Sequence, residues 1–268
     1  MPVTKRSTLA LAVIFMVAIA GAVFLFWRFE RHAEAPISVT QEKTVPVLVA
    51  AWREDFIPAK GDGVGAIPEG WDMHKKPGTR SALFSLNGQS EQPSSFLQMT
   101  ALKASGSLVT KITEVDIRKA PLLRWRWKAT KLPIGADGRI KAKDDQAIGI
   151  YIGTGSTLDN KSVSYRWDTE TPRGSEGNCV YGMGTIKVKW YTLRNKEDVS
   201  DGGWFIEERN AAEDFNEAWG YYPEKLYLSV SCNSQYTGSE AEAGLDWIEF
   251  LIVPDDLQVD GENKRAQK

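Results

Sequence analysis

The stretch PLLRWRWKA, Pro121–Ala129, alternates two tryptophans with two arginines and a lysine. Side chains of an extended strand point to opposite faces with a period of two. Leu123, Trp125, Trp127 and Ala129 then share an apolar face, and Arg124, Arg126 and Lys128 share a cationic one. The pattern recurs. SVSYRWDT sets Ser164, Arg166 and Asp168 against Val163, Tyr165 and Trp167, and TIKVKWYTL sets Lys187, Lys189 and Tyr191 against Ile186, Val188 and Trp190. QAIGIYIG sets Ala147, Gly149 and Tyr151 against three isoleucines. If these strands are neighbours, Arg124, Arg126, Tyr151, Arg166, Lys187, Lys189 and Tyr191 make one face of cations interleaved with tyrosines. Arginine grips a carboxylate in a fork, and tyrosine adds an apolar ring with a hydroxyl. Such a face suits a glycan, above all a carboxylated one, or another anionic polymer. The competing reading is a solvated face whose charges discourage edge pairing.

Six acids could carry catalysis: Asp144, Asp145, Asp168, Glu207, Glu208 and Asp214. A glycosidase needs two facing carboxyls, about 5 Å apart for retention or about 6.5–9.5 Å for inversion. Asp168 and Glu207 are the candidates, since each sits in an aromatic-rich strand, and pairing with arginines across a sheet is their bland alternative. A lyase needs a neutraliser for the sugar carboxylate and a base. Tyr151, Tyr165, Arg126 and Gln146 have the right chemistry, but both histidines, His32 and His74, lie outside the strand-rich region. Asp55 and Asp246 would meet if the first and last strands pair, which admits a structural Ca²⁺ with loop carbonyls. No other cofactor is expected. Two cysteines, Cys179 and Cys232, and two histidines give no zinc-ligand cluster. The cysteines could pair in an oxidising compartment or stay as separate buried thiols. No phosphate loop precedes a helix, and no nucleophile elbow appears.

The elements that must position these residues are mostly strands. The 268 residues are 42% hydrophobic with a net charge of -2, which argues against a nucleic-acid partner. Short alternating segments separated by turn residues predict an all-β antiparallel sandwich or barrel over 47–253. One short helix is marked by Asn210 as N-cap, Glu213 as its capping-box partner and Gly220 as C-cap. At the other end, Lys5 and Arg6 precede the uncharged run 9–27. Its nineteen residues rise about 1.5 Å each, enough to span a bilayer core of about 30 Å. The run is read as an uncleaved anchor, with 1–8 cytoplasmic. Residues 28–46 then form a linker and 254–268 a disordered tail, and the folded part lies on the extracytoplasmic side of the inner membrane. Protein partners are left open, with envelope assembly one option.

The segments LLRWRWKATKLP, KDDQAIGIYIG, SYRWDTETPRG, GWFIEERNAAEDFNEAWG and LYLSVSCNSQYTG, in this order, resemble a bacterial family catalogued only as a domain of unknown function, number three thousand and forty-seven. The resemblance implies a β-rich domain of jelly-roll type, often exported, with no established activity and no catalytic residues to carry over. Where the family resembles DTDNTG this chain has NSQYTG, so the family's two acids correspond to Asn233 and Gln235. A cation held by that pair in relatives would be held more weakly here.

Overall fold

The computed structural model describes residues 48–58, 67–87, 95–156, 158–199 and 203–254. The apolar run 9–27, the linker 28–46 and the tail after Pro254 lie outside them. Among the described residues no helix is long and apolar enough to cross a membrane.

Fourteen strands and one α-helix are described. They are β1 (Val49–Glu54), β2 (Asp72–Lys75), β3 (Arg80–Ser81), β4 (Leu83–Asn87), β5 (Phe96–Leu102), β6 (Ala104–Ile112) and β7 (Leu122–Lys131). After these come β8 (Ile148–Gly155), β9 (Asn160–Trp167), β10 (Glu176–Tyr181), β11 (Ile186–Arg194) and β12 (Phe205–Asn210). The chain ends with α1 (Ala211–Trp219), β13 (Leu226–Asn233) and β14 (Glu240–Ile252). One sheet runs β12-β7-β14-β5-β4, with β1 also on β14. The other runs β10-β11-β9-β8-β13-β6-β2, with β3 on β6. Pairing is antiparallel except for β9 with β11 and β3 with β6. The first and last strands do pair, Glu54 facing Ile248.

The two sheets face each other across an aromatic core, an all-β sandwich with one helix. Leu123, Trp125, Trp127 and Ala129 point inward from β7, as their alternation requires, and all four are buried. From the opposite sheet come Ile148, Ile150 and Ile152 of β8 and Val163, Tyr165 and Trp167 of β9. Trp125 stacks on Tyr165 at 5.2 Å, and Trp127 meets Trp167 at 5.6 Å. These rings bury large apolar areas and their pairing adds about 0.5–1.5 kcal/mol each. Helix α1 packs against the end of β9. Asn210 accepts from the Glu213 amide at 3.0 Å, and Gly220 closes the helix at φ 81°. The left-handed cap favours a residue without Cβ. The Glu213 carboxylate takes the Tyr222 hydroxyl at 2.9 Å.

Candidate functional site

The seven expected ligand residues divide among three surfaces. Arg124 and Arg126 belong to β7, on the outer face of the six-stranded sheet. Tyr151 and Arg166 share the outer face of the eight-stranded sheet. Lys187, Lys189 and Tyr191 lie on the opposite face of that second sheet, because β11 runs parallel to β9 with Tyr191 beside Tyr165. The two rings stack at 6.0 Å. The strand sits next to the sheet edge, so the long lysine stems can reach water while their backbone faces inward. Lys187 there pairs with Asp159 at 3.2 Å, and Lys189 with Glu176 at 2.9 Å. The single cationic face expected from the alternation does not form.

On β7 each cation has an acid or a ring. Arg124 donates to Glu249 at 2.9 and 2.6 Å, and Arg53 reaches the same carboxylate at 2.7 Å. Arg126 donates to Asp246 at 2.8 Å and lies 5.3 Å from the Trp204 ring. Lys128 lies 4.6 Å from both Phe96 and Trp204. A bulge between Leu245 and Trp247 supplies the extra residue that gives Arg126 its carboxylate. The suggested cation pair is thereby engaged elsewhere, since Asp246 holds Arg126 and Asp55 holds Arg53 at 2.6 Å. Asn233 accepts from Ser105 at 2.6 Å. Among the described residues no group of three or more His, Cys, Asp or Glu could hold a metal ion. Cys179 and Cys232 are both free.

The two suggested catalytic residues belong to different sheets. Glu207 lies on β12 of the six-stranded sheet and bonds Arg194 at 2.5 Å. Asp168 follows β9 of the other sheet, fully buried, with Arg166 Nε at 3.2 Å and the Thr192 hydroxyl at 2.9 Å. The Arg166 contact is an ion pair whose angles fall outside the hydrogen-bond range.

What the fold does assemble is a polar network around Arg166. Register places Gly177, Trp190, Ser164, Tyr151 and Ser229 in one row across five strands of the outer face. Thr192, Arg166, Gly149 and Ser231 form the next row. Two glycines make room for rings: a Cβ on Gly177 would collide with the Trp190 indole, and one on Gly149 would press on Tyr151. The Arg166 side chain is 2% exposed. Its Nη2 donates to Asp144 and, at 3.2 Å, to the Gln146 carbonyl oxygen. Gln146 donates in turn to the Tyr151 hydroxyl at 2.8 Å. The Tyr181 hydroxyl donates to the second oxygen of Asp144. Burial opposes the charge of Arg166, but Asp168 and Asp144 outweigh it and hold its pKa above the ordinary value. Burial likewise raises Asp168, against the pull of Arg166, and raises Tyr181.

The network opens to solvent at Tyr181. There a recess of about 390 Å³ is walled by Tyr181, Tyr236, Lys76, Lys141 and the tip Gly182–Gly184. Lys76 Nζ lies 4.6 Å from the Tyr236 ring and 3.2 Å from its hydroxyl. The turn bearing Tyr236 is fastened to the buried Asp145, which accepts from the Tyr236 and Thr237 amides at 3.2 and 2.7 Å. At the tip Met183 has φ 56° and is wholly exposed, a conformation uncommon for a residue with Cβ. A larger cavity of about 490 Å³, between Leu102, Leu132 and Ile134, is mostly apolar, and its Lys131 is paired with Glu240 at 3.3 Å. Sequence reasoning weighed Asp144 and Gln146 only as members of other sets and missed Tyr181, Lys76, Lys141 and Tyr236. The alternation Gly177, Cys179, Tyr181 was the available signal for Tyr181.

The model of the family described as "Protein of unknown function (DUF3047)" matches residues 69–249. The chain belongs to that family. No curated protein matches it. Among solved structures it is similar to the CBM22-1 xylan-binding domain of Paenibacillus barcinonensis Xyn10C, with 13% identity, a TM-score of 0.35, 78% of this chain and 97% of that one covered. It is also similar to the xyloglucanase domain of NopAA from Sinorhizobium fredii, with 10% identity, a TM-score of 0.43 and 76% and 100% covered. A third is the family 11 carbohydrate-binding module of Clostridium thermocellum Lic26A-Cel5E, with 8% identity, a TM-score of 0.36 and 69% and 88% covered.

Proposed function

We propose that this DUF3047 domain is a non-catalytic binding module of jelly-roll type for acidic saccharides, and that the ligand occupies the recess at Tyr181. One observation carries the reading: Lys76 and Lys141 converge with the rings of Tyr181 and Tyr236 on one recess of about 390 Å³. Ligand sites are concave, of roughly 300–1,000 Å³, with few polar groups among apolar walls. Ammonium groups supply charge for a sugar carboxylate and tyrosine rings supply stacking area. In this reading the run 9–27 tethers the module to the inner membrane and displays it on the extracytoplasmic side.

Calorimetry with polygalacturonate tests the site. Lys76→Ala with Lys141→Ala weakens binding about tenfold or more, with no shortened or unsaturated product from the parent protein. Product formation would replace this reading with a polysaccharide-active enzyme. Cell fractionation tests the tether: the full chain sediments with membranes and a chain lacking residues 1–46 does not.

A further inference from the structure

The acidic-saccharide reading says what charge the recess attracts; the network beneath it says what else the ligand must carry. Asp144 meets the Nη2 of Arg166 through one oxygen and the Tyr181 hydroxyl through the other. A carboxylate held by a guanidinium accepts and does not donate, so Tyr181 must be the donor in this pair. A phenol has a single O–H. With that proton committed inward to Asp144, Tyr181 has only lone pairs to offer on its recess side.

We infer that Tyr181 is a specificity-determining residue whose oxygen accepts a hydrogen bond from a free sugar hydroxyl, so that the recess selects uronates with free hydroxyls and rejects their O-acetylated forms. This deepens the binding-module reading and rests on it. The lysines supply donors to the carboxylate, and Tyr181 supplies an acceptor. A ligand that presents only acceptors satisfies the first and leaves the second facing another lone pair. An acetyl ester does that, since it replaces the hydroxyl proton with a carbonyl. Asp144 is the positioning residue that fixes the polarity of Tyr181, and Arg166 fixes Asp144 as an acceptor.

The test compares polygalacturonate with the same polymer after O-acetylation, measured by calorimetry on the intact protein and two variants. The parent protein binds the free-hydroxyl polymer about tenfold more tightly, the value of one hydrogen bond of roughly 1.4 kcal/mol. Asp144→Asn gives Tyr181 a side-chain amide that can donate to it, which releases the phenolic proton toward the recess. The preference then falls to about twofold or less. Asp168, 3.2 Å from Arg166 Nε in the parent protein, is untouched by this substitution and still faces the guanidinium. Tyr181→Phe, which keeps the ring, loses affinity for the free-hydroxyl polymer alone. An unchanged preference in both folded variants makes the discrimination steric and overturns the inference while sparing the site. Failure of the parent protein to bind either polymer overturns the site itself. Should Asp144→Asn not fold, Tyr181→Phe decides alone.

Discussion

Arg166 Nε lies 3.2 Å from Asp168 Oδ1 beneath the outer face of the eight-stranded sheet, with both side chains almost wholly withdrawn from water. Asp144 completes the set on the other side of the guanidinium. Two carboxyls and one guanidinium at this depth make the network sensitive to the loss of its cation.

Arg166→Met is accordingly expected to destabilise the fold by about 3–5 kcal/mol, because it strands buried acids. Arg124→Met removes a cation whose side chain is 36% exposed and is expected to cost about 1 kcal/mol or less. Urea unfolding of the two variants measures both. Equal losses would mean that burial does not separate the two arginines energetically.

The alkaline limb of stability follows from groups held neutral by burial. The Cys179 thiol is pushed up to about 11 from 9.0, and the Tyr227 hydroxyl up to about 12 from 10.0. In the unfolded chain these protons leave first, so the unfolded state gains as pH rises. Their contribution is complete below about pH 9 and declines as pH climbs toward 12. Cys179→Ala should flatten the first part of this decline in a pH series of urea midpoints. An unchanged slope would remove Cys179 from the account.

Gly177→Ala should destabilise by about 1–3 kcal/mol, since its methyl collides with the Trp190 indole and crowding of this kind costs that much. Asn210→Ala should cost about 0.5–2 kcal/mol through the lost cap at 3.0 Å. Thermal unfolding with calorimetric enthalpies checks both. Loss at Asn210 without loss at Gly177 would show that the indole moves freely.

Replacing Arg124 and Arg126 together with alanine should leave polygalacturonate affinity within about twofold of the parent. Both guanidinium groups are already engaged, by Glu249 and Asp246. A loss of tenfold or more would return recognition to the six-stranded sheet.

The alternation in LLRWRWKA told correctly which side of β7 is buried, because a period of two is a local property of the chain. The capping pair Asn210 and Gly220 was legible for the same reason. Which strands are neighbours is not local. β7 and β9 carry the same pattern yet face each other across the core, so their cations point away from one another. β11 was harder still: its Val188 and Trp190 look like core residues, but parallel pairing with β9 turns them to the outer face beside Arg166. The recess joins the residue that follows β2, the Lys141 turn, the β10–β11 tip and the β13–β14 turn, which no single stretch of sequence brings together.

The most direct measurement is a crystal structure of the domain soaked with a short galacturonate oligosaccharide. The account predicts density in the recess, with a carboxylate near Lys76 or Lys141 and a sugar hydroxyl against Tyr181. Density over Trp204 and Trp247 on the opposite sheet, with the recess empty at the same occupancy, would contradict it.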